Sequence, residues 1–157
     1  MAKVLVVYYS RTGHTRRIAQ ELAARCGGDS EEIRDPTNRA GMFGFLRSAL
    51  EALRGKPAPI AAATADAARY DLVVLGTPVW ASHVSSPMRG FVQAHKVHFK
   101  RIALFCTQGG NGGPKVLAEM AALCGKDAVA TLVLNEADIA NARYGQQLDA
   151  FAAAITK

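Results

Sequence analysis

The sequence has few cysteines and aromatic residues and no long apolar run. Its 157 residues include only Cys26, Cys106 and Cys124, with no CxxC pair among them. An odd count without paired spacing argues against a disulfide framework and a zinc site, so we expect no metal and a cytoplasmic location. The apolar run Val4–Tyr9 is too short for a signal-peptide core, and no run is long enough to span a bilayer.

The composition is that of a globular domain with an excess of basic residues. Half of the residues are hydrophobic, and 19 Lys and Arg against 13 Asp and Glu give a net charge of +6. The length fits a single domain over residues 1–157. The basic residues are spread along the chain and form no nucleic-acid motif, so we expect no nucleic-acid partner. The charge favours an acidic partner or simply a basic surface.

Short apolar runs and helical patterns alternate along the chain. The runs are Val4–Tyr9, Leu72–Leu75, Ile102–Cys106 and Ala128–Leu134, with a polar edge candidate at Glu31–Arg34. Because the four apolar runs lack alternation, we expect strands buried on both faces, as in a parallel sheet covered by helices. The predicted helices are Arg16–Cys26, Met88–His95, Val116–Cys124 and Ala140–Ile155. This order predicts a doubly wound α/β sheet.

The segment Pro36–Tyr70 is too long for one helix and its turns. Met42, Leu46, Ala49, Leu50 and Leu53 lie on one helical stripe, which predicts an amphipathic helix within Arg39–Arg54. Three interpretations stay open for the stripe: additional core under a long crossover, a lid beside a ligand, or a subunit interface. The stretch Lys56–Ala68 predicts a loop with a short helical turn.

The loop after the first strand has the features of an anion site. Ligands of open parallel sheets bind beyond the carboxyl ends of the strands. Here Ser10-Arg11-Thr12-Gly13-His14-Thr15 brings three hydroxyls and a glycine to a helix start. The loop lacks the nucleotide motifs GxxxxGK[ST] and GxGxxG and a nucleophilic cysteine, so it predicts phosphate binding without cleavage. A well-capped helix start is the alternative.

Two further loops follow the third and fourth predicted strands. The loop Thr77–Pro87 contains Trp80, the only tryptophan of the sequence. Trp80 would offer a stacking face to the ring of a ligand, or it would be a core or subunit contact. The loop Thr107–Gly113 has four glycines in seven positions. These glycines would let a ligand approach the backbone closely, or they simply make a flexible surface loop.

Together, the segments SRTGHT, GTPVWASHVSSPMRGFV and IALFCTQGG resemble the flavodoxin family, from Met1 to about Leu134. The resemblance implies a flavodoxin-like five-stranded parallel sheet of order 2-1-3-4-5, helices on both faces and bound FMN. By position, it assigns the FMN phosphate to Ser10, Arg11, Thr12, Gly13, His14 and Thr15. It places Thr77, Pro78, Val79 and Trp80 beside the isoalloxazine ring. It places Thr107, Gln108, Gly109, Gly110, Asn111 and Gly112 along the other edge of the ring.

Two departures from the small electron carriers of that family favour an enzyme. Those carriers resemble one another in being acidic and in having a second aromatic residue in the third loop, whereas this chain is basic and its TQGGNGG loop has none. An uncovered ring face favours an oxidoreductase that passes electrons from NAD(P)H through FMN to a quinone-like acceptor. No side chain is assigned as catalytic. His83 is a proton-donor candidate, although a loop histidine is more often a surface residue.

Other functions stay open at this point. The chain could be a flavodoxin-type electron carrier that serves a redox partner protein, or a binding protein that has kept the fold and lost the flavin. The oligomeric state, including a homo-oligomer, is also open.

Overall fold

A computed structural model describes residues 2–36, 39–58 and 60–157. Its parallel strands are β1 (Val4–Tyr8), β2 (Asp29–Glu32), β3 (Leu72–Trp80), β5 (Ile102–Gln108) and β6 (Ala128–Asn135). They lie in the order β2-β1-β3-β5-β6, and a short strand, β4 (His83–Val84), pairs antiparallel with the end of β3. Without β4, this is the predicted five-stranded order 2-1-3-4-5, so the fold class is confirmed.

Helices cover both faces of the sheet. On one face lie α1 (His14–Cys26), α5 (Glu136–Ala140) and α6 (Gly145–Ile155). On the other face lie α2 (Gly41–Leu53), α3 (Ser86–His95) and α4 (Gly113–Cys124). Two 3₁₀ turns, Ala67–Arg69 and Lys96–His98, complete the described elements. The first of them is the short helical turn expected near the end of the Lys56–Ala68 stretch.

The central strands are apolar on both faces because helices pack against each face. In β1, Val4 and Val6 belong to the core beneath α1, while Leu5 and Val7 belong to the core beneath α3 and α4. Successive side chains of a strand point to opposite faces, so a doubly covered strand reads as an unbroken apolar run.

Several helix boundaries follow from local sequence signals. Helix α1 ends where Gly27 takes a left-handed conformation, with φ of 61°. Pro87 and Pro114 lie in the first turns of α3 and α4, as predicted. Proline suits this position because the first amides of a helix have no partner within the helix.

Three features of the elements differ from the prediction, apart from shifts of a few residues at other ends such as that of β2. Strand β3 continues through Trp80, so the first part of the predicted second loop is strand. The predicted helix Ala140–Ile155 is two helices, interrupted where Ala142 adopts φ of 55°. Strand β6 is only partly buried because it is an edge strand, whereas we expected burial on both faces.

The cysteines are part of the packed interior. All three are free and buried. Burial raises the pKa of Cys106 to about 12, so its thiol stays protonated at neutral pH. Cys106 therefore behaves as a small buried hydrophobic residue. In the described part of the chain, no helix is long and apolar enough to cross a membrane.

Candidate functional site

Two adjoining cavities lie at the carboxyl edge of the sheet. The first has a volume of about 170 Å³ and is walled by the first loop, the end of β3, helix α2 and the start of α5. Its lining residues are Arg11, Thr12, Phe45, Ser48, Ala49, Pro78, Val79, Trp80, Ala81 and Glu136. The second, of about 390 Å³, shares Arg11 and Thr12 and adds Tyr9, Ser10, Arg39, Ala40 and Gly41. Small-molecule sites have volumes of about 300–1,000 Å³.

The first loop is held in a turn that leads into α1. Gly13 has φ of 103°, a left-handed conformation that glycine adopts without a Cβ clash. The Gly13 amide donates to Ser10 Oγ at 3.0 Å, which closes the turn. Within the described residues, no side chain caps the first turn of α1. The amides of that turn therefore suit an anion, because they point outward at the positive end of the helix dipole.

Two of the predicted site hydroxyls are bonded to each other. Thr15 Oγ1 and Thr107 Oγ1 are 2.8 Å apart, and both residues are at least 98% buried. This contact ties the start of α1 to the end of β5. Thr12 is exposed and His14, the first residue of α1, is half-buried. The assignment of these residues to a phosphate stays a prediction.

Arg11 connects the first loop to the start of α2. Its Nε donates to the Arg39 carbonyl at 3.1 Å, and its Nη2 donates to the Gly41 carbonyl at 3.2 Å. Its guanidinium also lies 5.7 Å from the centroid of the Phe45 ring. Arg11 lines both cavities and holds the wall that α2 forms.

The second loop is a tight β-hairpin. Ala81 and Ser82 both have positive φ, 51° and 62°, between the paired residues Trp80 and His83. A two-residue turn of this kind matches the twist of the flanking strands, but non-glycine residues adopt it at a cost. Beneath the hairpin, the Thr77 and Ser85 hydroxyls are bonded at 2.9 Å in the buried interior. The hairpin thus fixes Trp80 at the cavity wall.

Trp80 is more enclosed than a free stacking platform. It is 92% buried, and the Tyr9 ring meets it edge-on with the two centroids 5.4 Å apart. The Arg39 guanidinium lies 5.1 Å from the Trp80 ring centroid. Since Trp80, Val79 and Pro78 line the smaller cavity, a planar ligand there would meet a mostly apolar wall.

Arg39 is a buried charged side chain of the site, and its side chain is 3% exposed, like that of its partner Asp35. It forms ion pairs with Asp35 and Glu51 and donates to Ser48 Oγ at 3.1 Å. Burial by itself would lower the pKa of Arg39, but the bonds to Glu51 and Asp35 outweigh it and raise the pKa. Among the described residues, its Nη2 is a buried donor without a hydrogen-bond partner. A permanent cation with a spare donor therefore adjoins Trp80 and the larger cavity.

The third loop is fastened by Gln108. The Gln108 Oε1 accepts from the Gly113 amide at 2.8 Å, and its Nε2 donates to Asn135 Oδ1 at 2.7 Å. Gly112, with φ of 93°, packs so closely that a Cβ there would lie 3.1 Å from Ser82 Oγ. The second and third loops are thus in contact. The predicted residues Thr107, Gln108, Gly109, Gly110, Asn111 and Gly112 line neither cavity.

Nine lining residues of the two cavities were not among the predicted site residues. They are Tyr9, Arg39, Ala40, Gly41, Phe45, Ser48, Ala49, Ala81 and Glu136. Six of them belong to α2 or directly precede it, and the lid interpretation of the Met42–Leu53 stripe was the one signal that pointed there. Glu136 follows β6, a strand whose end carried no recognisable motif.

His83 is engaged by a carboxylate outside the two cavities. His83 Nδ1 lies 2.8 Å from Glu119 Oε2, and Glu119 Oε1 accepts from the Val84 amide and from Arg89. Burial by itself would raise the pKa of Glu119, but these hydrogen bonds and the charge of Arg89 outweigh it and lower the pKa. His83 is therefore part of a polar cluster between the hairpin, α3 and α4.

A family match accompanies this geometry. Residues 3–149 match the family model described as Flavodoxin. The chain belongs to the flavodoxin family. The resemblance drawn from the three loop segments is therefore confirmed, and the match extends into α6, beyond the segments that suggested it.

Solved structures share the fold of this flavodoxin. A flavoprotein from Lactobacillus acidophilus NCFM, in complex with FMN, is 20% identical, with a TM-score of 0.76 over 90% of this chain and 98% of that chain. A flavodoxin, WrbA-like protein from Agrobacterium tumefaciens is 18% identical, with a TM-score of 0.56 over 98% of both chains. At these identities, the likeness concerns the fold alone.

Curated relatives are longer than this flavodoxin. An NAD(P)H dehydrogenase (quinone) from Cupriavidus metallidurans is 33% identical over 94 residues, which are 59% of this chain and 46% of that protein. One of the same name from Paraburkholderia phymatum is 34% identical over 99 residues, with the same two coverages. The chain thus spans about half the length of the curated relatives it matches.

Proposed function

We propose that this flavodoxin binds FMN at the carboxyl edge of its sheet and passes electrons from NAD(P)H through FMN to a quinone-like acceptor. The observation that carries the proposal is the pair of adjoining cavities, one beside the uncapped first turn of α1 and one beside Trp80. The family and the FMN complex of the Lactobacillus flavoprotein support FMN as the ligand.

The residues present fit the two ends of FMN. The free amides of the first turn of α1 and the Ser10 and Thr12 hydroxyls would hold the phosphate through charge-assisted hydrogen bonds, each contributing about 1.5–3 kcal/mol. Pro78, Val79 and Trp80 would flank the ring, and stacking on Trp80 would add about 0.5–1.5 kcal/mol beyond area burial. FMN would supply the redox chemistry, and the protein would set its orientation and potential.

Arg39 would place a guanidinium beside a bound ring. Its single positive charge is offset by two carboxylates, Asp35 and Glu51, so the cluster has no excess positive charge. Among the described residues, its Nη2 has no hydrogen-bond partner. Arg39 would therefore act on the ring as a hydrogen-bonding group and not as a source of net positive charge.

Two observations support a quinone-like electron acceptor: the uncovered outer side of the site and the names of the curated relatives. No third-loop aromatic side chain covers the outer side of the site, since that loop is TQGGNGG. A planar donor or acceptor could then approach the ring in turn, which predicts ping-pong kinetics. The curated relatives named NAD(P)H dehydrogenase (quinone) support this chemistry.

The first test is the visible spectrum of the purified protein, followed by steady-state assays. We expect a yellow protein and turnover of NADH or NADPH with a quinone, with parallel lines in double-reciprocal plots. As a matched pair, Thr12→Val should weaken FMN binding about tenfold by removing one hydroxyl contact, whereas Thr131→Val, at the far strand β6, should not. Protein that stays colourless with excess FMN and shows no change in Trp80 fluorescence would contradict the proposal.

A carrier function is the second candidate. The chain covers only 46% of the quinone-dehydrogenase relatives, and its net charge of +6 would also suit a carrier that serves an acidic partner protein. The same assays separate the two functions. Absence of NAD(P)H turnover, together with accumulation of a one-electron-reduced flavin on photoreduction, would favour the carrier.

A further inference from the structure

Helix α2 exposes an apolar face that the rest of the described chain leaves uncovered. Six of the eight large hydrophobic residues that are exposed in the structure belong to this helix. They are Met42, Phe43, Phe45, Leu46, Leu50 and Leu53, with exposures from 49% to 89%. An apolar surface of this density marks an interaction site.

The large apolar side chains of α2 are exposed because small residues occupy the inner side of the helix. The buried residues of α2 are Gly44, Ser48 and Ala52, all of them small. The large side chains occupy about 160° of the helix circumference on the opposite side, at about 3.6 residues per turn. This inner face is packed against Arg39, which bonds Ser48 Oγ and lies close to Gly44.

The charges around this face are positive. Arg47, Arg54 and Lys56 are exposed at the side and end of the helix. The one acidic residue of α2, Glu51, is turned inward and forms an ion pair with Arg39. Apart from a long 3.9 Å contact between Arg47 and Glu51, the described residues record no ion pair to these three cations. The face is therefore apolar at its centre and cationic at its margin.

We propose that α2 docks this flavodoxin onto an anionic lipid bilayer surface. A helix with an apolar face and basic flanks lies in the membrane interface, with its apolar side chains among the acyl chains and its cations at the headgroups. A second copy fits less well, because two chains of net charge +6 with basic flanks beside the same helix repel each other, whereas an anionic surface attracts them.

The docking surface adjoins the candidate site. Phe45 and Ala49 of α2 line the cavity that contains Trp80, so one helix would contact the bilayer and form a wall of the site. Resting on the proposed function, this arrangement means that a quinone dissolved in the membrane would enter beside α2 without crossing bulk water.

The test is co-sedimentation of the full chain with lipid vesicles. We use vesicles of equal parts phosphatidylglycerol and phosphatidylcholine, and vesicles of phosphatidylcholine alone. The wild type should bind the anionic vesicles and bind the neutral ones at least tenfold more weakly, with the difference reduced by salt. Met42→Ser with Phe43→Ser, which line neither cavity, should weaken binding more than tenfold.

Matched variants test each part of the surface. Val97→Ser, at an equally exposed apolar residue outside α2, should leave vesicle binding unchanged. Arg47→Gln and Arg54→Gln should each weaken binding to anionic vesicles about fivefold. Lys100→Gln and Lys126→Gln, at exposed cations elsewhere, should change it less than twofold.

Three results would overturn the inference. The first is no binding of the wild type to either vesicle, and the second is an equal loss in Val97→Ser and in the α2 double variant. The third is a dimer in sedimentation analysis that Met42→Ser with Phe43→Ser converts to a monomer. Vesicle binding is measured without FMN or turnover, so a protein that binds lipid but not FMN would contradict the proposed function alone.

Discussion

Helices α1 and α2 have the same length, 13 residues, and are held to the sheet by different forces. Helix α1 buries Ile18 and Leu22 completely. Helix α2 buries only small residues and is held through Arg39, which bonds Ser48, pairs with Glu51 and lies against the Trp80 ring at the end of β3. Apolar content therefore does not predict which helix is buried, since α2 has the more hydrophobic sequence and the more exposed apolar side chains.

The largest expected effect comes from removing the ionic anchor of α2. Arg39→Met leaves the Asp35 and Glu51 carboxylates without the cation that neutralises them inside the protein. We expect a loss of about 3–5 kcal/mol in the free energy of unfolding, with the fastest hydrogen exchange in α2. Urea denaturation and native-state hydrogen exchange measure both.

Arg47→Met is the control for the ionic anchor. Arg47 contacts the same Glu51 at 3.9 Å but is 61% exposed at its side chain, so its removal should cost less than about 1 kcal/mol. Equal losses in the two variants would show that burial of Arg39 has no special importance for α2.

The second prediction compares leucines on the two helices. Leu22→Ala removes a fully buried side chain of α1 and should lower the free energy of unfolding by about 2–5 kcal/mol. Leu46→Ala removes a half-exposed side chain of α2 and should change it by less than about 0.5 kcal/mol. Urea midpoints of the two variants give the comparison, and a large loss at Leu46 would mean that the apolar face of α2 is covered in solution.

The third prediction concerns the small inner face of α2. A Cβ on Gly44 would lie 2.0 Å from the Arg39 carbonyl carbon, so Gly44→Ala must displace the start of the helix. We expect a loss of about 1–3 kcal/mol, which outweighs the helix propensity gained, about 1 kcal/mol. Gly145→Ala, at an open position in α6, should be neutral or stabilising in the same thermal unfolding assay. A stabilised Gly44→Ala would contradict the close contact.

The smallest expected effect is a change in the pH dependence of stability caused by Glu21 of α1. Partial burial by itself would raise the pKa of Glu21, but hydrogen bonds from Tyr144 and Arg25 outweigh it and lower the pKa below the ordinary value of 4.5. A lowered pKa means that the contribution of Glu21 is complete above about pH 4.5 and is lost as the pH falls through the folded-state pKa. Glu21→Gln should therefore lower the melting temperature slightly at pH 7 and by less at pH 3. The same difference at both pH values would rule out this ionic contribution.

The predictability of the fold can be traced to particular residues. The unbroken apolar run of β1 predicted a strand covered on both faces. Because side chains alternate along a strand, Leu5 and Val7 lie in one core and Val4 and Val6 in the other. The glycine at the end of α1 and the first-turn prolines predicted helix boundaries for equally local reasons. The break at Ala142 was missed, because nothing in the alanine-rich sequence signals a left-handed residue there.

The candidate site was predicted less completely than the fold. The three loops were recognised by their positions after strands, and Trp80 and Thr12 do line a cavity at that edge. Arg39 and Glu136 were missed because their positions in the chain have no local signal; each reaches the site through the arrangement of separate elements. The stripe of α2 was found correctly, but its direction depends on the ion pairs of Arg39.

By itself, the sequence determined the elements whose information is local: apolar strands, proline-started helices, a hydroxyl-rich turn and the family to which they belong. The tertiary structure decided which charges meet, where the hairpin fixes Trp80 and which side of α2 faces outward. The reason is physical. Backbone conformation depends on neighbouring residues, whereas the burial of Arg39 depends on Glu51, 12 positions away, and on Trp80, 41 positions away.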